Sequence, residues 1–138
     1  MSEYMEFSIK EYLEYQEEEV LYLYESVEWS NYTSRPDMLQ QAFQHSLKVY
    51  GAYDQEKLIG LVRIVGDGHS VILFQDILIL PDYQHLGVGT ALVKHALKEY
   101  EDVYQKLLFT EETTKTIEFY KSLGFHMATE FGCCGFMK

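Results

Sequence analysis

An α/β domain built on one mixed, twisted sheet is the fold that this sequence predicts, and three observations point to it. Between Leu47 and Leu80, strand-like apolar segments alternate with short turns. The last segment, VILFQDILIL at 71–80, is an almost unbroken apolar run, the pattern of a strand buried on both faces. A helix-length stretch then joins it to another apolar strand, VYQKLLFT at 103–110. Strands joined by such a crossover pair in parallel and the connection is right-handed. The expectation is one domain over residues 1–138, with about six or seven strands flanked by about four helices.

Each element follows from local pattern. Met5–Lys10 reads as a short first strand. From Glu17 to Glu28, Val20, Leu21, Leu23, Tyr24 and Val27 recur at three- and four-residue spacing, which makes an amphipathic helix. WSNYTSRP reads as a loop, and Pro36 with Asp37 opens a second helix to about Ser46. LKVYGAYD and LIGLVRIV are strands separated by the DQEK turn. GDGHS supplies glycines for the next turn before 71–80. A helix from Gly87 to Tyr100 presents Val88, Ala91, Leu92, Val93, Ala96 and Leu97 as a wide buried face. EETTKTIEFYKSL is a last helix stopped by Gly124, and FHMATEF and CCGFMK read as a final pair of strands.

Composition narrows the function. The 138 residues carry 22 acids, 11 Lys and Arg and a net charge of −11, with 47% hydrophobic residues. That acidity argues against a phosphate-neutralising nucleic-acid surface. No apolar run approaches the ~20 residues of a membrane span, and the N-terminal MSEYMEFSIKEYLEYQEEE lacks the apolar core of a secretion signal. A cytoplasmic protein with two reduced thiols, Cys133 and Cys134, is expected. His45, His69, His85, His95 and His126 are scattered without zinc spacing, so no metal is expected. Residues 1–34 hold nine acids and one base, Lys10. Such a stretch is either a solvated helical face or an attractor of cationic substrates.

The sharpest local signal is Gln84-His85-Leu86-Gly87-Val88-Gly89-Thr90, between a buried strand and a helix start. Glycine lets a backbone approach a ligand and take positive φ. A helix N-terminus offers unpaired N–H groups and the positive dipole end, so the pair can cradle a pyrophosphate without Lys or Arg. A P-loop would need Gly-Lys-Ser/Thr, and a dinucleotide fingerprint would need a third glycine near Leu92; both are missing. On residues alone, a plain tight turn remains open.

Gln84, Gly87 and Gly89 match the Gln/Arg-x-x-Gly-x-Gly/Ala motif of the GNAT N-acetyltransferase superfamily, which this sequence resembles. The preceding ILILPDY resembles that family's central strand, ending at Pro81, and Phe119-Tyr120-Lys121-Ser122-Leu123-Gly124-Phe125 resembles its Phe-Tyr-x-x-x-Gly-Phe. The likeness is strong over 48–131 and weaker over 1–47. It implies transfer of an acetyl group from acetyl-CoA to an amine. Backbone amides of His85, Leu86, Gly87, Val88, Gly89 and Thr90 would then hold the pyrophosphate. Ile77, Leu78 and Ile79 would pair with pantetheine and face the thioester carbonyl, where a backbone N–H can stabilise an oxyanion. Tyr120 would protonate the departing thiolate; otherwise it is a core tyrosine. Two positions depart from the family. Thr113 stands where a cofactor-contacting Asn is common, and His85 where Arg or Lys is common. Lys94 and Lys98 could meet the nucleotide end, or be plain solvated lysines.

An attacking ammonium must first lose a proton. Asp76, which interrupts the central strand, is one candidate base and is equally readable as a structural carboxylate; Glu28 and His69 are lesser ones. Trp29 and Tyr32, with Glu28 beside them, form a candidate acceptor pocket for a cation, or simply close a helix end. The acceptor would be a small-molecule or peptide amine, and a homodimer is expected from the family's habit. A CoA-binding sensor without turnover and a nucleotide-type phosphate regulator are the competing functions.

Overall fold

The protein is described by a computed structural model covering residues 6–138; Met5, the expected start of the first strand, lies outside the described residues. The chain forms two compact units, one running to Leu108 and the other beginning at Phe109. The first contains β1 (Ser8–Glu11), α1 (Glu17–Ser26), α2 (Ser30–Thr33), α3 (Pro36–Gln44), β2 (Lys48–Asp54), β3 (Lys57–Gly66), β4 (Val71–Ile79), a 3-10 turn at Pro81–Tyr83, α4 (Val88–Glu99) and β5 (Gln105–Leu108). The second contains α5 (Thr114–Ser122) and a 3-10 turn at Ala128–Phe131.

The sheet has five strands in the order β1-β2-β3-β4-β5. All neighbours are antiparallel except β4 and β5, which run parallel, Val71 opposite Gln105 and Phe74 opposite Leu108. The crossover helix α4 buries Val88, Leu92, Val93 and Ala96 against β2, β3 and β4. Burying a side chain such as Leu92 contributes about 1.5–3 kcal/mol. Val20, Leu23 and Tyr24 of α1 and Leu39 and Phe43 of α3 are buried as well.

The bulge in β4 places the site. Arg63 pairs with Asp76 but Ile64 pairs with Phe74, so Gln75 is the extra residue. A bulge shifts the side-chain alternation by one. Ile72 and Phe74 therefore share the face of Ile64, whereas Asp76 and Leu78 share the opposite face with Arg63 and Leu61. The run 71–80 is thus buried in alternation along each half, one face then the other, with Gln75 exposed.

Several sequence expectations are corrected. The final pair of strands does not form, so the sheet has five strands, not six or seven, among the described residues. In its place local hydrogen bonds curl the chain. Glu130 accepts from the Met127 N–H at 3.1 Å, Cys133 N–H donates to Ala128 O at 3.0 Å, and Gly132 is left-handed with φ +76°. The loop WSNYTSRP holds one helical turn, α2, which brings the helices among the described residues to five. The first helix stops at Ser26 because Glu28 is left-handed, φ +64°. Trp29 N–H donates to Tyr24 O and Glu28 N–H to Glu25 O, the paired bonds of a Schellman motif. No described helix is long and apolar enough to cross a membrane.

Candidate active site

The glycine loop is built as an amide cradle. His85 and Gly87 are both left-handed, φ +65° and +86°, and Gly87 is the N-cap of α4 without any side-chain cap. The first helical bond is Ala91 N–H to Gly87 O at 3.0 Å. The N–H groups of His85, Leu86, Gly87, Val88, Gly89 and Thr90 accordingly find no acceptor among the described residues. A Cβ built on Gly87 would meet nothing within 4 Å, so the cradle faces open space. Gln84 anchors the loop, its Nε2 donating to Ile79 O at 3.1 Å.

The strand leading into this loop has an open edge. β5 pairs β4 only from Val71 to Phe74, so Gln75–Ile79 have no strand beside them on that side among the described residues. Leu80 N–H donates to Ile59 O on β3. Peptide groups alternate direction along a strand, so Ile77 and Ile79 turn theirs to the open edge while Leu78 faces β3. Ile79 O is the one Gln84 reaches.

Asp76 lies within a buried polar network. It is 2% exposed and Arg63 is 5% exposed. Asp76 Oδ2 accepts from Arg63 Nε at 2.7 Å and from Tyr24 Oη at 2.8 Å. Arg63 Nη1 donates to Ser46 Oγ at 3.2 Å. Burial alone would lower the Arg63 pKa; the Asp76 carboxylate beside it outweighs that and raises it. Burial first, and then Asp76, push the Tyr24 hydroxyl well above its ordinary value. Arg63 and Tyr24 escape a sequence reading centred on Asp76. The available signal is that a lone Arg in LIGLVRIV and a lone Asp in VILFQDILIL are both too costly to bury unpaired.

Tyr32 stacks with Tyr24 at 5.2 Å and Trp29 lies 6.1 Å from both rings. Trp29 is thus the hydrophobic partner that closes the α1 motif on Tyr24, and Glu28 is exposed at its turn. Beside Tyr32 opens a cleft of about 480 Å³ lined by Asn31, Tyr32, Ser34, Arg35, Met38 and Arg63. Tyr32 is the one member of the expected Glu28, Trp29, Tyr32 pocket in that lining. His69 sits before the start of β4, at the opposite end from the glycine loop. Ten residues of strand span about 30 Å, so His69 is remote from Ile79. Lys94 and Lys98 are exposed on α4. No cluster of His, Cys, Asp or Glu among the described residues could hold a metal.

In the second unit, Thr113 is the N-cap of α5, its Oγ1 accepting from Thr116 N–H at 3.2 Å. Phe125 N–H donates to Tyr120 O and Gly124 N–H to Lys121 O, with Gly124 at φ +93°. The Phe-Tyr-x-x-x-Gly-Phe segment is therefore itself a Schellman motif. Tyr120 packs edge-on against Phe119 at 4.9 Å and Phe125 at 6.1 Å. Its hydroxyl makes no hydrogen bond to a described residue, and burial pushes its pKa up to about 12.

An uncapped left-handed loop thus follows an open strand edge, and comparison with known proteins supplies the family. The family model described as an acetyltransferase (GNAT) domain matches residues 45–127, and the chain belongs to the GNAT acetyltransferase family. It is 41% identical, with a TM-score of 0.88, to a GNAT family acetyltransferase from Streptococcus pneumoniae, covering 96% of this chain and 97% of that one. An uncharacterized N-acetyltransferase of Prochlorococcus marinus is 29% identical over 83% of this chain and 64% of its own length. A histone acetyltransferase of Glycine max is 32% identical over 56% of this chain. The chain spans 64% and 42% of the first two curated relatives it matches. The PaiA N-acetyltransferase of Thermoplasma acidophilum, solved in complex with coenzyme A, shares the fold at a TM-score of 0.72 and 17% identity.

Proposed function

We propose that this acetyltransferase uses acetyl-CoA to acetylate a primary amine of a small molecule or peptide. The observation that carries this is the open Gln75–Ile79 edge, followed after one short turn by the six amides of His85 to Thr90, which are unpaired among the described residues. The fit is chemical. The amides of His85 to Thr90, at the positive end of α4, suit a pyrophosphate, and the outward peptide groups of Ile77 and Ile79 suit the amides and carbonyls of pantetheine.

Acetyl-CoA supplies an acetyl group on a thioester. An outward N–H of Ile77 or Ile79 steadies the negative charge gathering on the acyl oxygen. The amine nitrogen bonds to the acyl carbon, the carbon–sulfur bond breaks and the departing sulfur takes a proton, a role that the Phe-Tyr-x-x-x-Gly-Phe motif assigns to the phenol of Tyr120. A Tyr with a pKa near 12 and no hydrogen-bond partner among the described residues is protonated and free to donate at neutral pH. The amine loses its own proton to solvent. Asp76, committed to Arg63 and Tyr24, is assigned the shaping of the acceptor side rather than proton abstraction.

Calorimetric titration with CoA, together with thiol release from acetyl-CoA over an amine panel, tests this. Micromolar CoA binding and amine-dependent release are expected. Absence of CoA binding removes the proposal. Binding without release to any amine favours the sensor function, to which the capping role of Thr113 lends support.

A further inference from the structure

We propose that the amine accepted here also carries a carboxylate, which Arg35 and Arg63 hold in the cleft beside β4. This rests on the acetyl-transfer reading and names its substrate class. The chain has twice as many acids as bases, yet the cleft lining includes two guanidinium groups and no carboxylate. The acids nearest in sequence, Glu28 and Asp37, are exposed and lie outside the lining.

The donors are available. Arg63 has five N–H donors and spends Nε on Asp76, Nη1 on Ser46 and a further hydrogen bond on the Tyr24 hydroxyl, which leaves part of its fork to meet a ligand in the cleft that it lines. Arg35 is exposed and makes no ion pair among them. Tyr32 Oη accepts from Gln75 Nε2 at 3.4 Å, which leaves its own proton to give. Asn31 adds an amide. Guanidinium forks match the two oxygens of a carboxylate, and Arg35, whose charge has no counter-ion among the described residues, would oppose an ammonium in this cleft.

The placement suits transfer. Arg63 lies opposite Asp76 and Tyr32 reaches Gln75, both on β4 just before Ile77. Asp76 to Leu78 spans about 7 Å of strand. A carboxylate held at Arg63 therefore sets an amine a few carbons away at the level of the outward peptide groups of Ile77 and Ile79. The acceptor is an amino-acid-sized amino carboxylate.

The test is calorimetric titration of the full chain, without CoA, by L-α-amino acids and ω-amino carboxylates, their matched carboxamides, and putrescine and spermidine. At least one carboxylate should bind about tenfold or more tightly than its amide. Arg35→Gln, a surface change that the fold tolerates, should bring that ratio toward one, and Arg35→Lys should keep part of it. Three outcomes overturn the proposal: no carboxylate binding up to about 10 mM, diamines binding as tightly as carboxylates, or a ratio unmoved by Arg35→Gln. Because these titrations need no CoA, a chain that fails to bind CoA loses the transfer reading while the carboxylate site is still judged. Equal acetylation of amides and acids would do the reverse.

Discussion

Asp76 and Arg63 are the buried charged pair of the sheet, and their cost sets the residue-scale expectations. Asp76→Asn keeps the shape but leaves a buried guanidinium without its counter-charge. It should lower stability by about 3–5 kcal/mol, read from urea denaturation, and an apolar Arg63→Met/Asp76→Leu pair should recover most of it. A loss below about 1 kcal/mol would mean that water already reaches the pair. Tyr120→Phe tests the acid. It should lower kcat by roughly 10–100-fold, the low end of general-acid assistance because a thiolate leaves readily. CoA affinity and melting temperature should hold, since the ring keeps its contacts with Phe119 and Phe125. An unchanged kcat would return Tyr120 to packing alone. The Gly87 and Gly89 pair and Tyr120 were legible from motif. The Arg63 network was not, because it depends on which residues of two strands stand opposite each other.

At the scale of elements, the same ending is used twice. In α1 and α5 a tyrosine, a left-handed residue and an aromatic ring close the last turn: Tyr24, Glu28, Trp29 and Tyr120, Gly124, Phe125. Only α5 has the glycine that this conformation favours. Glu28→Gly should relieve about 1 kcal/mol of left-handed strain and, after the added freedom of the unfolded chain, raise the melting temperature by about 2 °C. A lower melting temperature would show that Glu28 makes compensating contacts. The start of α4 gives the opposite case. Gly89→Asp puts a carboxylate in the first turn, where the helix dipole welcomes it, and where a pyrophosphate would not. Stability should hold while calorimetry finds CoA affinity lost; retained affinity would remove the pyrophosphate assignment. Element types were readable from periodicity wherever an apolar stripe was long, as in α4 and β3. The β4 bulge was not readable, because inserting one residue leaves the alternation of apolar letters looking continuous. The absent final strands read as strands because FHMATEF alternates, yet Gly132 and the Met127–Glu130 bond turn the chain first.

For the whole molecule, tyrosine ionisation dominates the response to alkali. Burial raises Tyr12, Tyr24, Tyr50 and Tyr120 together, Tyr120 to about 12. Each folded value lies above the unfolded one near 10, so above about pH 10 the unfolded chain releases protons that the folded chain retains. Stability is therefore full below pH 10 and falls as pH rises through 10 toward 12. The net charge of −11 pushes the same way, because each added phenolate joins a chain already repelling itself. Urea midpoints measured between pH 8 and pH 11 should drop steeply only above 10, and Tyr24→Phe should flatten part of that drop. A flat profile to pH 11 would mean that these phenols stay in contact with water.

The open edge of β4 also bears on how the protein must be handled. The outward peptide groups of Ile77 and Ile79 can template a foreign strand as readily as they can receive a ligand, and aliphatic edges of this kind seed aggregation. Preparations kept without CoA should therefore cloud sooner on storage than those kept with it, and light scattering would follow the difference.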